Sequence, residues 1–171
     1  KDIMVGKSLV EQDLVEVAKD IETKAVQFNC KLILPLDVIC GKSIEDREPV
    51  EFDINDISKN YMILDLGTKT TALINQEIKN SKMVLWNGPV GAFEYKSYER
   101  ATNEIALNIK QNVKQFGINA LAGGGDTVSA IKNANAEDGF DYISNAGGAF
   151  LEWLEGNQSP GVIALRENNL S

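Results

Sequence analysis

The chain has 171 residues, 43% hydrophobic and 25% charged, an ordinary mix for one folded domain with its own core. Seventeen Lys and Arg against 25 Asp and Glu give a net charge of −8, which argues against a nucleic-acid binder, whose basic face must displace phosphate counterions. Histidine is absent, so the chain holds no histidine base, histidine metal ligand or Ser-His-Asp triad.

Cys30 and Cys40 are too few for a structural zinc site or a disulfide framework. They read as small hydrophobes in a reducing cytoplasm, with one disulfide left open. The chain begins with Lys1, has no basic-then-apolar leader, and reads as a piece of something longer. No apolar run approaches the about 20 residues that cross a bilayer, so no membrane partner is expected.

From Val10 to Phe28 the spacing predicts a helix with one apolar stripe: Val10, Leu14, Val17, Ile21, Ala25 and Phe28. Ser8 followed by Glu11 has the form of a capping box at its start. Leu32–Val38 reads as a buried strand, although Pro35 offers no ladder hydrogen bond. Residues 41–60 are acidic and aperiodic, and are expected to form a surface excursion. Short apolar runs at Met62–Asp65, Met83–Trp86, Ile118–Ala122 and Tyr142–Ser144 predict strands. Helices are expected over 68–80, 97–116, 126–134 and 148–156, with a last strand at Val162–Leu165. This alternation predicts an α/β fold: a three-layer, Rossmann-like parallel sheet with helices on both faces.

Glycines cluster where these strands end. Asp65-Leu66-Gly67, Asn87-Gly88-Pro89-Val90-Gly91, Gly123-Gly124-Gly125-Asp126-Thr127 and Ala146-Gly147-Gly148 each follow a predicted strand. In a parallel sheet all lie at the carboxyl edge, where ligand crevices form. Glycine lets backbone approach a ligand, and helix N-termini offer free N–H groups to anions. A phosphate-bearing ligand is implied. A chain at −8 must hold it by backbone dipoles, a cation, or positive groups from elsewhere. Asp126 reads either as a helix cap or, beside phosphate, as a Mg2+ ligand. Thr127 offers a hydroxyl to the same phosphates. Taken alone, Asn87-Gly88-Pro89 reads as a plain turn, Glu94 as a solvated charge, and Trp86 and Trp153 as packing residues. Gly6-Lys7-Ser8 and Gly41-Lys42-Ser43 lack the upstream glycine of a Walker loop, and Val128 breaks a dinucleotide fingerprint at 123–128.

LWNGPVGAFE (85–94), GGGDTVSAI (123–131) and SNAGGAFLEWLEG (144–156) resemble the phosphoglycerate kinase family in order and spacing. VGKSLVE (5–11), LILPLDV (32–38), MILDLGTKT (62–70) and SPGVIAL (159–165) extend the resemblance along the chain. The resemblance implies that residues 1–171 are part of the family's C-terminal, nucleotide-binding domain. The N-terminal domain, which binds phosphoglycerate, and a GGAK-type lysine segment lie outside the sequence.

By resemblance, Ile63 and Leu64 belong to the adenine slot, and Asn87, Pro89 and Gly91 to a turn beside the nucleotide. Ala92 and Phe93 line that pocket and Glu94 holds the ribose hydroxyls. Gly124, Gly125, Asp126 and Thr127 form the phosphate and Mg2+ site, with Asp126 the metal ligand. Gly147 and Gly148 aim N–H groups at the phosphoryl group in flight. The implied activity is glycolytic transfer between 1,3-bisphosphoglycerate and ADP, giving 3-phosphoglycerate and ATP, by a cytoplasmic monomer. The fragment alone is expected to be inactive. The alternatives are a stand-alone nucleotide-binding module and a non-catalytic α/β domain. Three departures stand out: Thr68 for a usual proline, Ala92 for a common valine, and Asn145-Ala146 for Thr-Gly. If position 146 requires a positive φ, Ala146 is strained by about 1 kcal/mol.

Overall fold

The computed structural model describes residues 1, 3–157 and 163. The chain forms two compact units, Lys1–Gln76 with Val90–Ala101, and Glu77–Pro89 with Thr102–Ser171.

The first unit carries an antiparallel sheet. Its strands β1 (Asp37–Gly41), β2 (Val50–Asp53) and β3 (Met62–Leu66) lie in the order β2-β1-β3. Three expectations are corrected here. The strand placed at 32–38 begins only at Asp37, because Pro35 has no N–H for a ladder. The acidic stretch 41–60 contains β2, a strand too exposed to show alternation. The run at 62–65 forms β3 but pairs antiparallel with β1, outside the parallel sheet. Val38, Cys40 and Ile57 form the core, packed by Phe52, Ile54, Tyr61 and Ile63. Burial pushes the Cys40 thiol up to about 11, so it stays protonated and unreactive at neutral pH. Both cysteines are free.

Helix α1 (Val15–Gln27) forms as the periodicity predicts but starts later. Ser8 does not cap it, since its hydroxyl accepts the N–H of Ile63 on β3 at 2.8 Å. Of the apolar stripe only Ala25 is buried, while Val10, Leu14, Val17, Ile21 and Phe28 are exposed.

Helix α2 (Thr68–Asn80) has no acidic residue in its first turn. Buried Asp37 supplies one from β1, accepting the Lys69 and Thr70 N–H groups at 2.8 Å each and the Thr70 hydroxyl at 2.6 Å. Burial pushes the Asp37 carboxyl up, yet these donors outweigh it and hold it below the usual range.

The second unit carries the parallel sheet: β4 (Met83–Trp86), β5 (Asn119–Gly123) and β6 (Tyr142–Ser144), in that order. Helices flank it. Helix α4 (Gly125–Asn133) packs on β5 and β6, and α5 (Gly147–Leu154) on β5. Alternation turns Trp86, Ala120 and Ala122 inward and leaves Met83, Leu85 and Tyr142 exposed. Trp86 stacks on Phe140 at 6.2 Å between ring centroids, the packing role expected of it. Of the apolar stripe that the spacing predicts on helix α3 (Arg100–Phe116), Ala101, Ile105 and Ile109 are buried, Val113 is half-buried and Phe116 is exposed. The expected strand at 162–165 falls, Ile163 apart, outside the described residues. Among the described residues, no helix is long and apolar enough to cross a membrane.

Candidate functional site

The residues singled out by sequence divide between the two units. In the second unit, three strand-end turns meet. The register Trp86↔Ala122 and Gly123↔Ser144 places the carboxyl ends of β4, β5 and β6 on one edge. The Thr127 hydroxyl, fully buried, accepts the Gly88 N–H at 2.7 Å. This ties the turn after β4 to the first turn of α4, and leaves the hydroxyl proton free to donate. The Gly124 N–H donates to the Ser144 carbonyl at 3.0 Å, tying the turn after β5 to β6. Gly124 has φ +99° and ψ 139°, a conformation essentially reserved for glycine.

The turn at 147 closes the group. A Cβ at Gly147 would stand 2.6 Å from the Gly124 N and Cα and 2.9 Å from Asn87 Oδ1. Only glycine lets these backbones meet. The turns at 88, 124 and 147 therefore share one rim. Gly124 caps α4 without any side-chain hydrogen bond, so the first-turn N–H groups of α4 keep their donor capacity. Gly147 opens α5. At Gly125 and Gly148 an added Cβ would meet only open space. Ala146 is not among the positive-φ residues, so the conditional strain there does not arise. Its N–H donates to the Ser144 hydroxyl at 3.1 Å. Ser144 thus orders two turns, a role the sequence reading assigned to no residue.

Asp126 lies in the first turn of α4, exposed and without an ion pair or hydrogen bond among the described residues. No group of three potential metal-binding side chains occurs among the described residues. One carboxylate at a helix start fits Mg2+, which takes one or two carboxylates and completes its shell with water and phosphate oxygens.

In the first unit, Leu64 is buried and its carbonyl accepts the Ala92 N–H at 2.8 Å, joining β3 to the segment 91–94. Ile63 is half-buried and Phe93 buried. Glu94 is exposed and lines a hollow of about 740 Å3 with Asp46, Arg47, Tyr95 and Lys96. Pro89 lies in the second unit with Asn87, whereas Gly91 lies in the first.

The fold is α/β, with a parallel sheet whose glycine turns bring two helix N-termini, with their unpaired N–H groups, to its carboxyl edge. The sequence matches the family described as Phosphoglycerate kinase over residues 1–157. It is 44% identical over 169 residues to the phosphoglycerate kinase of Azorhizobium caulinodans, covering 97% of this chain and 42% of that protein. The Cereibacter sphaeroides phosphoglycerate kinase is 44% identical over 164 residues, 95% of this chain and 41% of that one. The solved structure of phosphoglycerate kinase from Coxiella burnetii superposes with TM-score 0.85 at 34% identity, covering 91% of this chain and 40% of its own. That of Pyrococcus horikoshii gives TM-score 0.72 at 24% identity, a likeness of fold. The chain belongs to the phosphoglycerate kinase family. It spans about two fifths of the length of these relatives.

Thr68, the departure from proline, has a local compensation. Its N–H and hydroxyl donate to the Glu51 carboxylate on β2, the N–H at 2.5 Å. Proline has no N–H and forfeits the first of these bonds.

Proposed function

We propose that this chain is the C-terminal, nucleotide-binding part of a monomeric phosphoglycerate kinase. In the full-length protein it serves reversible transfer between the acyl phosphate of 1,3-bisphosphoglycerate and MgADP, giving 3-phosphoglycerate and ATP. The observation that carries the reading is the abutment of two helix N-termini, with Gly147 against Gly124 on the rim also occupied by Asn87. Family membership supports it independently.

Phosphoryl transfer asks mainly for positioning and charge stabilisation, so a chain without histidine is not disqualified. The first-turn N–H groups of α4 and the free proton of Thr127 would meet the nucleotide phosphates. The N–H groups of Gly147 and Gly148 would meet the transferring phosphoryl group. Ile63, Leu64, Ala92 and Phe93 would form the adenine slot and Glu94 would hold the ribose hydroxyls, while Asn87, Pro89 and Gly91 are assigned to the nucleotide by the family motif. Asp126 would hold Mg2+, which when bound neutralises phosphate charge. Phosphoglycerate would be held by the N-terminal domain of the full-length protein.

Transfer needs both substrates in one closed site. These 171 residues alone are therefore expected to give no ATP from 1,3-bisphosphoglycerate and ADP in a coupled assay, while the full-length protein turns over. Turnover by the fragment contradicts this division of labour. A full-length protein that neither binds MgADP nor turns over removes the functional reading itself.

A further inference from the structure

We infer that Asp65 is a positioning residue for the nucleotide-binding segment 91–94, acting through Gly91 and the start of α3. The inference rests on the functional reading above. Asp65 is the next-to-last residue of β3 and is only 1% exposed. One carboxylate oxygen accepts the Leu66 N–H at 2.9 Å, and the other accepts the Ala101 N–H at 3.0 Å. Ala101 lies in the first turn of α3, which has no acidic residue of its own there. The carboxylate thus supplies the cap and the negative charge that a helix start favours.

The same carboxylate forms the floor beneath Gly91. A Cβ on Gly91 would collide with Asp65 Oδ1, and would lie 2.9 Å from the Tyr98 carbonyl oxygen. Gly91 is therefore packed closely on both Asp65 of β3 and Tyr98, two residues before α3. Ala92 follows, bonded to the Leu64 carbonyl at 2.8 Å, and the Phe93 N–H donates to the Gly91 carbonyl at 2.8 Å. Glu94 projects from the end of this short, fixed run. One buried charge thereby sets the height of the segment that carries Ala92 and Glu94, without itself touching ligand.

Asp37 provides the control. It too is buried and caps a helix lacking a first-turn acid, but it packs on Gly67 rather than on 91–94. The experiment compares Asp65→Asn and Asp37→Asn in the full-length protein. MgADP affinity is measured by calorimetry and stability by thermal unfolding. Both variants are expected to lose thermal stability. Asp65→Asn should bind MgADP about tenfold more weakly, the scale set by one charge-assisted hydrogen bond, and Asp37→Asn should bind as wild type does. Wild-type affinity in Asp65→Asn, or an equal loss in Asp37→Asn, overturns the inference. If Asp65→Asn does not fold, Gly91→Ala tests the same seam with the carboxylate intact. It should weaken MgADP binding to a similar degree, and unchanged affinity overturns the inference. A wild-type protein that does not bind MgADP sinks the functional reading instead, a separate and visible outcome.

Discussion

Gly147→Ala is expected to lower turnover of the full-length protein on the order of 100-fold, the effect of misplacing one backbone donor at a charge-stabilising site. The added methyl has nowhere to go. It would land 2.6 Å from two backbone atoms of Gly124 and 2.9 Å from Asn87 Oδ1. Gly124 cannot yield cheaply. Its N–H is bonded to Ser144, its carbonyl accepts the Val128 N–H at 3.0 Å, and its φ is +99°. The start of α5 must therefore move away from the start of α4. Overpacking of this kind costs about 1–3 kcal/mol, so a fall in the unfolding temperature should accompany the loss of turnover. Gly148→Ala separates packing from chemistry. Its Cβ meets open space and its φ is not in the left-handed region, so stability should be unchanged. Any turnover lost at position 148 then reports crowding of the ligand. A Gly147→Ala protein with wild-type turnover would show that the abutting turns do not serve the reaction.

The features that made this rim legible in the sequence are local. Strands β4 and β6 have the limits that their apolar runs predict, and the glycines directly after β4 and β5 identify the turns. Family motifs then assign roles to Asn87, Asp126 and Gly147. What was not legible depends on distant partners. The run at 62–65 is recognisably a strand, but nothing in its residues says that it pairs antiparallel with β1. Pro35 signalled that the strand at 32–38 was misplaced, and its missing N–H does push the start to Asp37. The stripe on α1 has the periodicity of a core-facing helix, yet only Ala25 is buried. Amphipathic spacing shows that a face exists and not what covers it. Ser8 shows the same limit, because its hydroxyl serves Ile63 across the fold rather than its own helix. In the sequence Asp65 shows only as the last residue of a strand before a glycine turn, since its contacts to Gly91 and Ala101 are tertiary.

Asp126→Ala should change the response to nucleotide in opposite directions with and without metal. Asp126 is exposed, in the first turn of α4 and unpartnered among the described residues. Losing an acid from that turn costs about 0.3–1 kcal/mol of helix stability, so the fold should survive. With Mg2+ present, the carboxylate is expected to hold the ion against the phosphates, and its removal should weaken MgADP binding roughly tenfold to 100-fold. In EDTA the carboxylate faces phosphate with nothing between, in a chain whose net charge is already −8. Removing it there should improve ADP affinity, more so at low ionic strength, where repulsion is least screened. Helix capping alone predicts neither the weakening nor its reversal. Paired titrations of wild type and variant, with Mg2+ and with EDTA, read both signs. Equal MgADP affinities would remove Asp126 from the site, and the phosphates would then depend on the N–H groups of the two helix starts without this carboxylate.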